Sequence, residues 1–482
     1  MLPQTGVTFS CDDAALQKLF DEAERKCLHN LKDFGADTVL VEGGGYEKIW
    51  LETQPMGGEM YWKRNMTAAM NNQLLFMRTQ RAADGRIAGS IQCHPDGTIE
   101  PQFNKFQGFC FPLHALNMWY LSGKEPAYLD MLADCLEKFD QYLWRTRDSD
   151  GDGCLESFCV YDTGEDNALR YGHAPVYCTT DTPPKDADVV PMASMDVTSF
   201  SYACRDTLAE ISCLRGDGRE SEWREKTDAV AANLKARLWD DKRHACFDRD
   251  KHGKTIDVLC HNTLRCMYWG SISQKMADAF VRQHLLNPQE FWTPLPLPSV
   301  AVNDPLFRNA PENNWSGQCE GLTYQRAIIA LERYGYEPLV TKLGRKLLDA
   351  LIRGGYVFTQ QFDPFTGEPS RVGMVSHEVL SRDSDEPFQD SYGPTLLATL
   401  EYIAHIWGIA LLGDEVWFSL GSGLSYTYAQ RFGDDVYEIK SDGRSGIIYK
   451  NRIAVGSAPC GVRLVTNRDG KILRTVKIEE GV

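Results

Sequence analysis

The sequence has few of the features that attach a protein to a membrane or to a nucleic acid. Lys and Arg total 51 and Asp and Glu total 67, which gives a formal net charge of −16. Nucleic acids and anionic membranes need a basic face, so this charge argues against both as partners. No apolar run reaches the length of a membrane span. The first residues, MLPQTGVTFSCDD, have neither the basic nor the apolar region of a signal peptide.

The cysteines and histidines also lack the spacing of a metal site or a disulfide framework. The 15 cysteines are odd in number and scattered, and no two form a CxxC pair. Several of them, such as Cys27, Cys135 and Cys204, have apolar neighbours and are expected to act as small hydrophobic residues. The ten histidines form no HExxH motif. We therefore expect a cytoplasmic protein with no metal site and no cofactor.

One acidic turn imitates the start of a calcium-binding loop. Asp148, Asp150, Asp152 and Gly153 have the spacing of the first ligands and the glycine of such a loop. The twelfth position is Cys159, where a bidentate glutamate is required. We interpret the segment as a glycine-rich turn.

Helical periodicity dominates the chain up to residue 412. Asp12 and Asp13 make a plausible helix start, and apolar residues then recur at helical spacing as far as Leu31. The same pattern returns over residues 126–144, 198–214, 222–239, 322–334, 337–353 and 394–412. The intervening loops, rich in Gly, Pro, Asp and Asn, are 42–60, 148–190, 290–318 and 362–393. Long loops on a rigid scaffold usually carry function. We predict one helical domain, residues 1–412, with its chemistry on loops at one end.

The pattern changes after Gly413. Short segments rich in Val, Ile and Tyr alternate with turns such as Asp442-Gly443 and Asp469-Gly470. The segments are 416–420, 436–440, 446–455, 462–466 and 472–478. They predict a small antiparallel, β-sandwich-like domain over residues 413–482. Helices followed by strands indicate segregated domains rather than a parallel α/β sheet.

Several stretches follow one another in an order that is found in one family. They are NNQLLFMRTQRAADGRIAGSI (71–91), FPLHALNMWYLSGKEPAYLDML (111–132), WRTRDSDGDGCLES (144–157), TGEDNALRY (163–171), NNWSGQCEGLTYQRAIIALERYGY (313–336), FDPFTGEP (362–369) and FQDSYGPTLLATLEYI (388–403). In this order the chain resembles the (α/α)6-barrel glycosidases of the trehalase and mannosyl-oligosaccharide glucosidase type, which include mannosylglycerate-hydrolase-like enzymes. The resemblance covers most of residues 60–412. It implies an (α/α)6 barrel, an inverting mechanism and substrates whose terminal sugar is usually α-linked.

The resemblance also implies the general acid. Inverting glycosidases use two carboxyl groups: one protonates the departing glycosidic oxygen, and the other activates a water on the opposite face of the sugar. In this family a Gly is followed by an Asp-Asn pair and then by an Arg, and the Asp is the acid. Here Gly164, Asp166, Asn167 and Arg170 match that pattern. Asp166 is thus the expected acid, with Asn167 and Arg170 as sugar contacts. Arg170 is expected to help separate the pKa values of Asp166 and the adjacent Glu165.

The base position departs from the family pattern. The family carries a Glu shortly before an Asp-Pro…Thr-Gly turn, which here begins at Asp363, and Gln360 or Gln361 occupies the expected place. An amide can orient a water but cannot accept its proton. Either the base has moved to another loop, or the chemistry is altered or lost. The carboxylates that could substitute are Asp390, Glu320 and Glu378.

The first long loop, EGGGYEKIWLETQPMGGEMYWKRN (42–65), has the composition of a sugar subsite. Sugars present apolar faces and polar rims, so aromatic platforms and short carboxylate or amide side chains bind them. The candidate sugar contacts are Trp50, Glu52, Gln54 and Glu59 in this loop, together with Trp315 and Gln360.

The sequence therefore predicts an exo-acting, inverting glycoside hydrolase. Its substrate would be a small oligosaccharide or glycoside with a terminal, glucose-like hexose. Two alternatives stay open on the same fold. A carbohydrate-binding protein that has lost catalysis is favoured by the glutamine at the base position. A sugar epimerase or isomerase would need histidine bases, for which His173 and His377 are the candidates. The oligomeric state is not predicted.

Overall fold

The structure is a computed structural model that describes residues 2–310, 315–370 and 390–480. Within these residues the chain forms twelve α-helices, and antiparallel strands follow the last helix. The helices are α1 (Ala14–Cys27), α2 (Gln54–Tyr61), α3 (Met66–Arg78), α4 (Pro112–Leu121), α5 (Pro126–Thr146), α6 (Met195–Arg215), α7 (Glu220–Arg237), α8 (Asn262–Trp269), α9 (Gln274–Phe280), α10 (Gly321–Glu332), α11 (Glu337–Arg353) and α12 (Gly393–Trp407). The helices predicted from periodicity are present as α1, α5, α6, α7, α10, α11 and α12. None of the helices in the described ranges is long and apolar enough to cross a membrane.

The helix ends follow ordinary capping chemistry. At the start of α1, the Asp13 side chain accepts hydrogen bonds from the backbone N–H groups of Ala15 and Leu16. At the start of α3, Asn65 caps the helix in the same way. Helix α6 ends at Gly216, whose φ of +63° lies in the left-handed region that glycine adopts without strain. Local sequence therefore sets where these helices begin and end.

The helices differ in how deeply they are buried. Every residue of α8 and all but one residue of α12 are buried, whereas α1 and α11 bury one face. A helix buried all round belongs to the interior, and an amphipathic helix belongs to the outside. The even-numbered helices contact one another in turn: α2 with α4, α4 with α6, α6 with α8, α8 with α10, α10 with α12, and α12 with α2.

Strands form two larger antiparallel sheets and several short ladders in loops. The loop strands are β2 (Leu31–Phe34), β3 (Asp37–Leu40), β4 (Ile49–Trp50), β5 (Ser90–Cys93), β6 (Ile99–Gln102), β7 (Glu156–Ser157), β8 (Met192–Ala193), β9 (Trp239–Asp240), β10 (Ala245–Cys246), β11 (Cys319–Glu320) and β12 (Gln361–Phe362). The two larger sheets contain β1 (Thr5–Cys11), β13 (Ile409–Leu412), β14 (Glu415–Leu420), β15 (Tyr426–Phe432), β16 (Asp435–Ser441), β17 (Ser445–Lys450), β18 (Ile453–Pro459), β19 (Val462–Asn467) and β20 (Ile472–Lys477). Their orders are β1-β15-β16-β17-β18 and β13-β14-β19-β20.

Three details of the predicted helices and strands near the C-terminus were wrong. Residues 446–455 form two strands, β17 and β18, because Asn451 and Arg452 both adopt positive φ and close a tight hairpin without a glycine. The helix predicted to reach residue 412 ends at Trp407, and β13 follows it. Strand β15 was not predicted. Its partner β1 comes from the N-terminus and pairs in register from Thr5 opposite Phe432 to Cys11 opposite Tyr426. This pairing joins chain segments more than 400 residues apart, so local sequence carries no sign of it.

A shared apolar core connects the helices to the two larger sheets. The ring of Phe9 on β1 lies 5.2 Å from that of Phe20 on α1 and 6.1 Å from that of Tyr428 on β15. The Trp62 ring packs edge-on against Phe432 at 5.6 Å. Such contacts bury large aromatic surfaces and hold the sheets against the helices.

Candidate active site

A pocket lies where the segments that lead into α2, α4, α6, α10 and α12 converge. The lining residues are Glu42, Tyr46, Trp50, Glu52, Lys105, Gln107, Tyr161, Gly164, Asp166, Tyr177, Trp315, Leu322, Gln360 and Tyr392. Aromatic rings and short polar side chains dominate, which is the combination that binds sugars.

Asp166 is half-buried in this pocket and carries an unusual pKa. Burial raises the pKa of its carboxyl to about 7, and the nearby charges of Glu52 and Glu165 add to the rise. The Trp315 side chain hydrogen-bonds to Asp166 and opposes the rise. The Trp315 backbone N–H donates to Asn167 Oδ1 at 3.1 Å. A carboxyl with a pKa near neutrality holds a proton that it can give to a leaving group.

The neighbouring Glu165 is buried below the pocket and is ionised. Its Oε2 lies 2.7 Å from Arg170 Nη1 and 3.3 Å from Arg265 Nη1, and Asn262 Nδ2 donates to the same oxygen at 2.9 Å. Burial opposes its ionisation, but Arg170, Arg265 and His261 outweigh burial and lower the pKa of Glu165 to about 2. Two adjacent carboxyls thus differ widely in how readily they lose a proton. Arg170 contributes to this separation, as the sequence indicated.

Glu52 lies against the Asp166 turn and is paired with arginines. Its Oε1 accepts from Arg326 Nη2 at 2.5 Å and lies 3.8 Å from Arg265 Nη2. A Cβ added to Gly164 would overlap the Glu52 carboxylate, and Gly164 has a φ of +80°. Glycine at position 164 therefore lets the turn approach Glu52 closely.

Glu42 is a pocket carboxylate that the sequence interpretation missed. It is 7% exposed, and the Tyr392 hydroxyl donates to its Oε1 at 3.1 Å. Burial raises the pKa of Glu42 well above its usual range, with further contributions from the charges of Glu52 and Asp166. The Tyr392 and Thr53 hydroxyls favour its ionised form and limit the rise. The glycine run that follows Glu42 was the available signal, because successive glycines beside a carboxylate mark a close-packed turn.

Gln360 reaches the pocket on the side of Tyr46. The Tyr46 hydroxyl donates to Gln360 Oε1 at 3.1 Å. The Tyr46 ring packs edge-on against Trp50 at 6.1 Å and against Tyr392 at 6.3 Å. Gln360, one of the two amides at the place expected for the glutamate, is therefore held in the pocket by an aromatic cluster.

Some polar atoms of the lining have no protein partner. Among the described residues, Trp50 Nε1, Gln107 Oε1 and Asp166 Oδ1 are buried and make no hydrogen bond. Buried polar atoms are normally paired, so unpaired ones in a pocket indicate water or a polar ligand. One is a donor and two can accept, which suits the hydroxyl groups of a sugar.

Comparison with known proteins identifies the family. The model of the mannosylglycerate hydrolase MGH1-like glycoside hydrolase domain matches residues 57–383. The chain belongs to this family of glycoside hydrolases. The resemblance found in the sequence is therefore confirmed, and the protein is a glycosidase.

Several solved structures share the fold of this MGH1-like glycoside hydrolase at low identity. The GH63 mannosylglycerate hydrolase from Thermus thermophilus, in complex with glucose, is 17% identical with a TM-score of 0.60 over 80% of this chain and 99% of that one. The neutral trehalase Nth1 from Saccharomyces cerevisiae is 12% identical with a TM-score of 0.55 over 77% and 74%. A sialidase is 14% identical with a TM-score of 0.70 over 97% of this chain and 43% of that one.

Two of the three residues expected to replace the base of this MGH1-like hydrolase, Asp390 and Glu320, are described by the structure, and neither lines the pocket. Asp390 forms an ion pair with Lys26 and accepts hydrogen bonds from the backbone N–H groups of Phe358 and Ser391. Lys26 lies 364 positions away in the chain, so the sequence did not reveal the pair. Glu320 is buried at the start of α10 and is not part of the lining. Glu378 lies outside the described residues.

The predicted sugar contacts divide into two groups. Trp50, Glu52, Trp315 and Gln360 line the pocket of the MGH1-like hydrolase. The other four contact neighbouring protein groups and are not in the lining. Gln54 accepts a hydrogen bond from Trp50 N at 2.8 Å, and Glu59 lies 3.2 Å from His114. Asn167 accepts a hydrogen bond from Trp315 N, and Arg170 forms ion pairs with Glu165 and Asp248.

The histidine bases of the epimerase alternative are not in the described lining. His173 is exposed and does not line the pocket, and His377 lies outside the described residues. His261, which is 1% exposed, packs against the Trp315 ring at 6.0 Å and also does not line the pocket. Burial lowers the pKa of His261 to about 3, so its ring is neutral.

The acidic turn places three carboxylates close together. One oxygen from each of Asp148, Asp150 and Asp152 lies within 4.8 Å of the others. Each of the three also accepts a hydrogen bond from a backbone N–H group of its own loop, such as Gly153 N to Asp148 Oδ1 at 3.1 Å. These bonds fix the conformation of the turn.

Proposed function

We propose that the protein is an exo-acting, inverting glycoside hydrolase with Asp166 as its general acid. The observation that carries this proposal is the raised pKa of Asp166, about 7, in a pocket of aromatic and short polar side chains. The substrate is a small oligosaccharide or glycoside with a terminal, glucose-like hexose. A structural relative holds glucose, which supports the choice of sugar.

The proposed architecture is an (α/α)6 barrel within residues 1–412 and a β-domain over 413–482, whose two sheets also include β1 and β13 from the first part of the chain. The support is the closed order of contacts among α2, α4, α6, α8, α10 and α12. The pocket residues come from segments that lead into the N-termini of five of these helices. Helix N-termini favour negative charge, which suits a pocket lined by carboxylates.

In the proposed reaction the terminal sugar lies between Trp50 and Trp315, with its hydroxyl groups bonded to Glu52 and Gln360. Asp166 gives its proton to the glycosidic oxygen as the bond from that oxygen to the anomeric carbon breaks. A water attacks the anomeric carbon from the opposite face and loses a proton to a carboxylate base. The released sugar has the anomeric configuration opposite to that of the substrate.

The proposed setting is cytoplasmic, with no nucleic-acid or membrane partner. All 15 cysteines are free thiols, and most are buried. Free thiols are usual in a reducing compartment. The net charge of −16 disfavours polyanionic partners.

Gln360 supports a second candidate, a carbohydrate-binding protein that has lost catalysis. The pocket, its aromatic rings and its unpaired polar atoms serve binding as well as they serve hydrolysis. Turnover separates the two candidates.

The test incubates the purified protein with nitrophenyl glycosides and natural disaccharides while reducing sugar is followed, with Asp166→Asn in parallel. The hydrolase proposal predicts turnover by the wild type that falls at least about 100-fold in the variant. Saturable binding in calorimetry without turnover would favour the binding protein. A new free sugar without bond cleavage would favour an epimerase.

A further inference from the structure

We propose that Glu42 is the general base of this enzyme and performs the task of the glutamate that Gln360 replaces. The assignment rests on the proposed hydrolase function. The matching family domain begins at residue 57, so the family match does not extend to Glu42.

The choice of Glu42 follows from the charges around the pocket. The carboxylates among the described lining residues are Glu42, Glu52 and Asp166. Glu52 Oε1 accepts a hydrogen bond from Arg326 at 2.5 Å and lies 3.8 Å from Arg265, so this carboxylate is already engaged by two arginines. Asp166 is the acid. Glu42 is the carboxylate left for the second role.

Glu42 is close in structure to the position where the family carries its base. The Tyr392 hydroxyl donates to Glu42 Oε1 at 3.1 Å, and the Tyr46 hydroxyl donates to Gln360 Oε1 at the same distance. The two tyrosine rings are in edge-on contact, with their centres 6.3 Å apart. The Glu42 carboxylate and the Gln360 amide are therefore linked through Tyr392 and Tyr46, whose rings are in contact.

The turn that carries Glu42 is fixed by backbone contacts. Gly393 N donates to Glu42 O at 2.6 Å, and Glu42 N donates to Lys48 O at 3.2 Å. A Cβ on Gly43 would overlap the Asn30 side chain, and one on Gly44 would lie 2.9 Å from Tyr392 Cβ. Glycines at these positions permit a tight turn against α12. A rigid turn holds its carboxylate in one place, as catalysis requires.

The surroundings raise the pKa of both Glu42 and Asp166. Burial raises the pKa of both carboxyls, the charge of Glu52 adds to both rises, and the charge of Asp166 adds to the rise of Glu42, so the pair resists losing its last proton. Hydroxyls from Tyr392 and Thr53 bond to Glu42 and favour its ionised form. Within the described part of the chain, Asp166 Oδ1 accepts no hydrogen bond. In the proposed reactive state Asp166 carries this proton and Glu42 is ionised.

The oxygen of a water bonds to the anomeric carbon while the bond from that carbon to the glycosidic oxygen breaks. Glu42 takes a proton from the attacking water, and Asp166 gives its proton to the departing oxygen, which leaves as an alcohol. Glu42 then carries a proton and Asp166 is ionised, and exchange with solvent restores the starting state.

The test uses two substrates: the disaccharide that the wild type cleaves fastest, and the glycosyl fluoride of the same sugar and anomer. Fluoride leaves without a proton, so its release needs the base but not the acid. Glu42→Gln is expected to lower kcat about 10²- to 10⁴-fold on both substrates. Asp166→Asn is expected to lose most activity on the disaccharide and much less on the fluoride. The matched control is Glu47→Gln, an exposed loop carboxylate, which is expected to leave both rates unchanged.

Chemical rescue distinguishes a base from a residue that only supports the fold. With Glu42→Ala and added sodium azide, we expect a glycosyl azide of inverted configuration from the fluoride, because azide needs no deprotonation. We also expect the acidic limb of the wild-type pH profile to disappear in Glu42→Gln.

The possible failures have separate meanings. If Glu42→Gln keeps more than one tenth of the wild-type kcat on the fluoride, Glu42 is not the base, and the collapse of Asp166→Asn on the disaccharide still supports the hydrolase. If Glu42→Ala makes no azide product although it folds, the assignment is likewise overturned. If the wild type cleaves no substrate, the proposed function itself fails and the assignment fails with it.

Discussion

The close approach of Gly164 to Glu52 gives a quantitative prediction. Alanine at position 164 would have to adopt the φ of +80° that glycine has there, which costs about 1–2 kcal/mol. Its Cβ would also overlap the Glu52 carboxylate, so either Glu52 moves away from Arg326 or the Asp166 turn moves out of the pocket. Weakening a buried carboxylate–arginine pair costs about 3 kcal/mol more. We expect Gly164→Ala to lose about 4 kcal/mol of unfolding free energy and most of its activity.

Gly218 provides the control for this prediction. It has the same φ of +80°, and no atom lies within 4 Å of a Cβ built on it. Gly218→Ala therefore has the backbone strain without the overlap, and should lose about 1–2 kcal/mol with wild-type kcat/KM. The assays are urea denaturation and steady-state kinetics of both variants. The reasoning is refuted if Gly164→Ala matches Gly218→Ala in both stability and activity.

Three further predictions concern single side chains. Because the pKa of Asp166 is raised to about 7, its protonated form is lost and kcat/KM should fall as pH rises through 7. Above this pH the buried ionised carboxylate destabilises the fold, so Asp166→Asn should raise Tm at pH 8 but not at pH 4. Asp390→Asn should change kcat less than about threefold in steady-state assays, because Asp390 pairs with Lys26 away from the pocket; a loss of 100-fold would contradict this placement. Arg326→Met should lower the free energy of urea unfolding by about 3 kcal/mol, since it leaves Glu52 buried without its main partner; an unchanged value would contradict the ion pair.

The sequence predicted the one-sided helices α1 and α11 and also the almost fully buried α12. Helices α1 and α11 alternate buried and exposed positions, so their periodicity is visible in the sequence. Helices α2 and α8 were not predicted, because each has only eight residues and nearly all of them are buried, so no periodicity is visible. Two adjacent glycines, Gly57 and Gly58, weaken the signal of α2 further.

The candidate site could likewise be predicted only in part from the sequence. Asp166 could be proposed because its recognition depends on residues within a short stretch of chain, from Gly164 to Arg170. Glu42 was not proposed, because the glycine run after it was a weak local signal and its hydrogen-bond partner Tyr392 lies 350 positions away. The ion pair that occupies Asp390 is equally distant. Long-range packing, which a single sequence does not display, decides which of many carboxylates face the pocket.

The most direct test of the account follows the anomer that is formed first. Proton NMR of the early reaction mixture would be recorded for the wild type and for Asp166→Asn on the best natural disaccharide. The account predicts that the wild type releases a sugar with the anomeric configuration opposite to that of the substrate, and that Asp166→Asn releases almost none. A product that keeps the configuration of the substrate, or wild-type rates in the variant, would contradict it.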